Sequence, residues 1–252
     1  LIALGMLLCW LTVRHLKRYV SESAGSGQTL RDQFRVAWQA RPFRLLVSAF
    51  IVQALGAGAV LAAAPYFSRY ILGVEDFGIV FGVLLVPAVI FMPLWAVVGH
   101  RLGKRRGFLL SSMLFILGLL CSLAAPLLPL AIALLLIGIT SIGYAGMQMF
   151  PLAMLPDTIA DDAARTGQQR AGACTGVWTA GETAAFAAGP ALVLLLLAIT
   201  GYISTTAEQT VTQPDSAITG VMLSFAILPS SLVALSVPLV LRYPLREETL
   251  VA

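Results

Sequence analysis

The chain has 252 residues, 59% of them hydrophobic and only 11% charged, with a formal net charge of +4. A soluble domain carries about 25% charged and about 45–50% apolar residues, so this chain lacks the polar surface to dress a water-soluble globule. That excludes a soluble enzyme, a disordered chain and a nucleic-acid-binding protein, and the basic balance needs another origin. Cys9, Cys121 and Cys174 each lie inside an apolar block. They read as small buried hydrophobes, with neither a disulfide framework nor metal-ligand spacing.

In chain order, the first apolar block is Leu1–Val13. At about 1.5 Å per residue it covers only about 20 Å, and it has no basic flank or cleavage site to make it a signal peptide. Residues 1–16 read as the end of a transmembrane helix whose beginning precedes this chain. Residues 17–41 read as a linker. Ser21–Gln28 is Ser/Gly-rich and flexible by composition. Thr29–Ala40 places Leu30, Phe34, Ala37 and Trp38 at helical spacing. That predicts a short amphipathic helix, lying either among lipid headgroups or packed on protein.

Six further blocks reach the ~20 apolar residues that a membrane span requires. They are Pro42–Phe67, Phe77–Gly99, Phe108–Ala125, Leu128–Leu152, Ala173–Ile199 and Gly220–Leu241. Residues 42–242 are thus expected to be a six-helix unit and 243–252 a tail, making an all-α polytopic membrane protein whose first partner is the lipid bilayer. If the spans alternate, with the helix ending near residue 13 emerging into the cytoplasm, 15 of the 16 Lys and Arg residues fall inside and only Arg69 outside. The positive-inside rule expects that bias. The layout puts the C-terminus in the cytoplasm and traces the basic balance to topology rather than to a nucleic-acid partner.

Two motif regions carry a family resemblance. Gly99-His100-Arg101-Leu102-Gly103-Lys104-Arg105-Arg106 resembles the short basic turn between paired helices of major facilitator transporters, with His100 at the usual acid position. Gly103 suits a tight turn, and the cations suit helix C-termini and acidic partners. Met154-Leu155-Pro156-Asp157-Thr158-Ile159 is followed by Arg165-Thr166-Gly167-Gln168-Gln169-Arg170, then Trp178-Thr179, Gly189-Pro190-Ala191 and Thr200-Gly201-Tyr202. These, with Arg242-Tyr243-Pro244-Leu245, resemble the glycoside–pentoside–hexuronide:cation symporters, the melibiose-carrier-like branch. The resemblance implies a six-helix half bundle, helices seven to twelve, preceded by the end of helix six. It also implies a missing N-terminal six-helix half as partner and a small-molecule solute as substrate. No cofactor is implied beyond a coupling ion, sodium or proton, and the membrane is expected to be a bacterial inner membrane. Where the family has a lysine in helix eleven this chain has Glu182 and Thr183, and Ala171 replaces a common acid.

Glu182 is the only charged residue well inside a block. A charge at mid-bilayer costs about 2.5–3.5 kcal/mol on insertion scales, so it should face a watery cavity, a solute or a partner. It then serves solute recognition or proton coupling, or else sits protonated against a neighbouring helix. Trp178 and Thr179 lie four and three residues before it, on one face. An aromatic ring beside a carboxylate suits an amphipathic sugar ring. Tyr144 and Gln148 at i, i+4, and Gln53, are further pathway candidates, each readable equally as interhelical glue. Arg101, Lys104, Arg105, Asp157, Arg165 and Arg170, with Asp161 and Asp162, are expected to form a cytoplasmic gate, with Asp157–Arg170 as a loop. Rows of small residues (Gly176, Ala180, Ala184 and Ala188, flanked by Gly181, Ala185 and Gly189) and prolines at 65, 87, 93, 151, 190, 229 and 238 permit close, kinked packing. The leading expectation is a secondary active transporter of a sugar or related polar solute. The alternatives are a lysolipid substrate and a non-transporting membrane subunit. No nucleophile–base pair or phosphate loop supports an enzyme.

Overall fold

A computed structural model describes Trp10 and residues 38–167, 170–204 and 212–244. Apart from Trp10, the expected helix end over 1–16 lies outside the described residues. So do the linker over 17–37, including most of the expected amphipathic helix, and the tail from 245.

Hydrocarbon offers no partner for backbone N–H and C=O groups, so an open crossing chain satisfies them within a helix. Six helices here are long and apolar enough to cross a membrane. They are α1 Arg41–Tyr70, α2 Phe77–Leu102, α3 Lys104–Leu127, α4 Leu130–Thr166, α5 Ala171–Ile199 and α6 Asp215–Leu241. Among the described residues there is no strand. Local signals set the ends. Pro42 sits in the first turn of α1, where its missing N–H costs nothing. Asp76 caps α2 by accepting from the Gly78 N–H at 2.8 Å. Gly103 alone turns α2 into α3, at φ 83° and ψ 150°, a backbone state that glycine adopts without strain. The basic triad expected in that turn therefore opens α3.

One expected boundary is wrong. The sequence predicts a span end at Leu152 and a loop over Asp157–Arg170, yet α4 continues through Pro156 to Thr166. The polar extension is held by its own side chains. Thr158 donates to the Met154 carbonyl at 2.8 Å, Arg165 pairs with Asp161 one turn away at 3.0 Å, and Gly167 at φ 68° closes the helix. α6 also departs from regularity, turning π-helical over Leu223–Ile227. Pro229 follows directly; with no N–H to offer the previous turn, it makes a wider turn a fitting local solution.

The packing repeats itself. α1 lies against α5 and α6, α4 lies against α2 and α3, and α3 meets α6. Exchanging α1–α3 with α4–α6 maps this pattern onto itself, the signature of a three-plus-three repeat. Small residues set the approach distances. The row Gly176, Ala180, Ala184 and Ala188 is exposed, whereas Ala185 and Gly189 are buried. A Cβ on Gly189 would lie 2.6 Å from the Ala59 nitrogen, and one on Gly58 would lie 2.9 Å from the Phe186 carbonyl oxygen. Gly176 has nothing within 4 Å. Gly189→Val should therefore destabilise by about 1–3 kcal/mol through overpacking, with Gly176→Val close to neutral. Thermal unfolding of the two variants in detergent, in the full-length protein, checks the pair.

Candidate functional site

α5 buries a seam of Cys174, Trp178, Ala185, Gly189, Val193 and Leu197. Glu182 stands at the edge of that seam, half-buried, while Thr179 and Thr183 are exposed. α4 and α5 both pack on α1 but barely on each other, which leaves a cleft between them with α1 as its floor. Tyr144 and Gln148 rise from α4, both half-buried. Thr179 and Thr183 lie on the open side of α5, to either side of Glu182 in the chain. Thr183 donates its proton to the Thr179 carbonyl at 2.8 Å, leaving its oxygen lone pairs free to accept.

One candidate sits differently from expectation, and a second takes one of its two expected readings. The Trp178 ring does not offer a stacking surface: it is 3% exposed and stacks on Phe50 with centroids 4.2 Å apart. What it leaves unused is its indole N–H, which has no hydrogen-bond partner. Helical spacing placed Trp178 and Glu182 on one face, and the edge of the core runs between them. Gln53 is 2% exposed and donates to Ser112 Oγ at 3.1 Å and Ser236 Oγ at 2.8 Å. It clasps α1 to α3 and α6, the interhelical reading of that residue, and its Oε1 has no partner.

At the end carrying the basic turn, three ion pairs hold the α4 extension. Lys104 meets Asp157 at 2.6 Å, Arg165 meets Asp161, and Arg170 lies 3.7 Å from Asp162. Lys104 also donates to the Ala153 carbonyl at 3.3 Å. Arg105 donates to the carbonyls of Val240 and Leu241, capping the C-terminus of α6 where the helix dipole favours a cation. These contacts brace helices of one unit against each other. Arg101 is exposed.

Sequence reasoning missed the role of Tyr243, although its motif was visible. The side chain is 3% exposed and shares a 2.8 Å hydrogen bond with Thr158. Burial, followed by the nearby Asp157 and Asp161 carboxylates, pushes its phenol up to about 12 against the pull of the Thr158 bond. A tyrosine cluster at the opposite end was missed too. Tyr70 and Tyr202 hydroxyls meet at 3.0 Å, Tyr66 packs edge-on to Tyr202 with centroids 5.3 Å apart, and Arg69 lies over the Tyr70 ring. The signal was Thr200-Gly201-Tyr202, quoted as a motif with no role attached. Arg69 is the only cation at that end among the described residues.

Among the described residues there is no group of His, Cys, Asp and Glu able to hold a metal ion. A family profile described as MFS/sugar transport protein matches residues 1–247. The glucuronide carrier protein homolog of Escherichia coli (strain K12) is 27% identical over 213 residues, covering 82% of this chain and 45% of that protein. The chain therefore spans about half the length of the curated relative that it matches.

Two outcomes follow from the basic end. Lys104→Gln and Asp157→Asn should be non-additive, with a coupling of about 0.2–1 kcal/mol for a partly exposed pair, read by a double-mutant cycle of thermal unfolding. Because the Tyr243 phenol is raised above its ordinary value of about 10, its contribution is fully present below about pH 10. It is lost as pH rises towards about 12. In unfolding measured from pH 9 to pH 12, Tyr243→Phe should flatten that loss.

Proposed function

The chain belongs to the MFS/sugar transport protein family, an integral membrane transport family rather than an enzyme family, and from that premise we propose that it is half of a carrier for a sugar or related polar solute. It is read as the C-terminal half, helices seven to twelve, of a glycoside–pentoside–hexuronide:cation symporter of the melibiose-carrier-like branch. The other six helices supply the facing wall of the pathway. Uptake is driven by a sodium or proton gradient, and the two halves rock about a site near the bilayer midplane. The basic end of the bundle faces the cytoplasm of a bacterial cell, as the positive-inside rule assigns it, with the C-terminus on the same side. Residues 1–16 then close helix six, 17–41 link the halves, and 243–252 form the cytoplasmic tail.

The observation that carries this reading is the half-buried Glu182 in the cleft that α4 and α5 leave over α1. A carboxylate in that position is costly unless water, a solute or a proton reaches it. Hydroxyl-bearing solutes answer such a site, because each hydroxyl donates to the carboxylate while its oxygen accepts from a phenol or amide. Tyr144, Gln148, Thr179 and Thr183 supply those complementary groups. The Lys104–Asp157 pair and the Arg105 hydrogen bonds at the basic end keep α3, α4 and α6 together as the half moves, and exposed Arg101 meets the facing half when the cytoplasmic side closes.

The test is solute-dependent sodium or proton flux in vesicles reconstituted with the full-length carrier. Glu182→Gln should lower uptake at sub-saturating sugar by about tenfold, the loss of one charged hydrogen bond, and Tyr144→Phe by a smaller factor. Unchanged uptake and coupling in Glu182→Gln would reduce the carboxylate to a structural group.

A further inference from the structure

Lys104, Arg105 and Arg106 open α3 side by side, and the fold uses them differently. Lys104 is spent on Asp157 at 2.6 Å, and Arg105 on the Val240 and Leu241 carbonyls at the end of α6. Arg106 is exposed, and so is Arg242, the residue directly after the capped Leu241. Neither has an ion-pair partner among the described residues. The Arg105 contact joins their chain neighbours, so it brings two free guanidinium groups to one junction, where α3 meets α6.

The surroundings say what such a pair can take. At that end nine Lys and Arg residues stand against Asp157, Asp161 and Asp162, and each of those carboxylates already holds a cation. Arg41, Arg44 and Arg101 are exposed there too and add to the same positive field. Arg106 and Arg242 differ in what lies behind them. Leu110, Met113 and Leu117 share the helical face of Arg106 and are 44%, 52% and 58% exposed. Leu235, two turns before Arg242, is 67% exposed. The opposite faces are spent on protein: Gly107 and Gly118 lie against Phe150 and Thr140 of α4, and Ser236 and Val233 against Gln53 and Gly56 of α1.

Two bulky apolar stripes thus border the α3–α6 junction, each ending at an arginine. Such side chains suit acyl chains. The exposed face of α5 over 172–191 carries nothing larger than threonine, the composition of a surface that meets another helix. At the far end of the same two helices the charge is gone: α3 finishes in Ser122–Leu127 without a cation, and α6 begins at Asp215. Arginine forks match phosphate oxygens, and basic pockets between spans hold anionic headgroups.

We infer that the α3–α6 groove holds an anionic phospholipid of the leaflet at the basic end, its phosphate shared by Arg106 and Arg242 and an acyl chain along Leu110, Met113 and Leu117. The site belongs to the membrane-facing side of the bundle and is independent of the solute carried.

The experiment uses the full-length carrier in phosphatidylcholine vesicles, with Met113→Trp as a reporter at an exposed position of the stripe. The quencher is phosphatidylglycerol or phosphatidylcholine carrying the same brominated chains. Half-maximal quenching of the added tryptophan should need about a tenfold lower fraction of the anionic lipid. Arg106→Gln with Arg242→Gln should remove most of that preference. Arg41→Gln with Arg44→Gln takes the same charge from α1 and should leave most of it. The headgroup comparison with all arginines intact decides the matter alone should a double variant fold poorly. Equal quenching by the two lipids overturns the proposal. Equal loss in the two double variants overturns it too, because a diffuse field is then enough. Displacement by inorganic phosphate makes this an ion site and removes the lipid. A reporter that neither lipid reaches means that the facing half or a second copy covers this face, which is equally fatal. A rise in preference on Glu247→Gln with Glu248→Gln assigns the arginines to those carboxylates instead. No outcome depends on a transported solute, so sugar transport stands or falls separately.

Discussion

Every polar group placed in hydrocarbon must find its partner within the protein, and that constraint organises this molecule. The backbone meets it by forming helices. The hydroxyls meet it locally: Ser111, Ser112, Ser122, Thr140, Thr158 and Ser236 each donate to a carbonyl three or four residues earlier in the chain. Such back-bonding hides the proton and leaves the oxygen able to accept, which is how Ser112 and Ser236 come to hold the Gln53 amide. Against this background the unsatisfied groups stand out. Gln53 Oε1, Trp178 Nε1, Ser224 Oγ and Ser230 Oγ are buried without partners. Ser224 lies in the π turn of α6. Trp178 lies in the buried seam of α5, stacked on Phe50.

Lipid chains are as apolar as leucine, so burial alone gives the helices little reason to associate, and close contact supplies the attraction. Glycine provides that contact where helices cross. Gly143 and Gly146 of α4 lie against Ser111 and Phe115 of α3 and Trp95 of α2, and Gly58 and Gly189 bring α1 onto α5. Trp95 adds a 2.7 Å bond to the Ile142 carbonyl, and Ser141 one of 2.6 Å to Leu84. Both crossings tie the first or fourth helix to the second of the opposite repeat, which is why α2 and α5 end up as the least buried spans.

The spans were legible in the sequence because hydropathy and length are direct consequences of the bilayer. The Gly103 turn was legible because few residues tolerate its backbone angles. The α4 extension was not. Asp157 and Pro156 are loop signals taken one at a time, and only the ion pairs and the Thr158–Tyr243 bond, two of them made with residues far along the chain, convert them into helix. The cleft was half legible. Glu182 announced itself by cost, and Thr179 by its helical distance from Glu182. Helical spacing names a face but not the neighbour that covers it, so Trp178 and Gln53 could not be told apart from residues open to a solute until α1, α3 and α6 were in place.

Bracing both ends of a bundle has a mechanical consequence. The basic end is closed by Lys104–Asp157, by Arg105 on the last carbonyls of α6 and by Tyr243 on Thr158. The other end is tied by the Tyr70–Tyr202 bond. Each tie joins helices that also pack directly or through a shared neighbour, so the unit resists internal shear as a single body. Within the bundle α4 and α5 meet through α1 and hardly touch each other, and the half-buried Glu182 of α5 is a carboxylate that the membrane makes expensive. For the carrier proposed above, a rigid half with its polar edge confined to one face would place the motion at the boundary between halves.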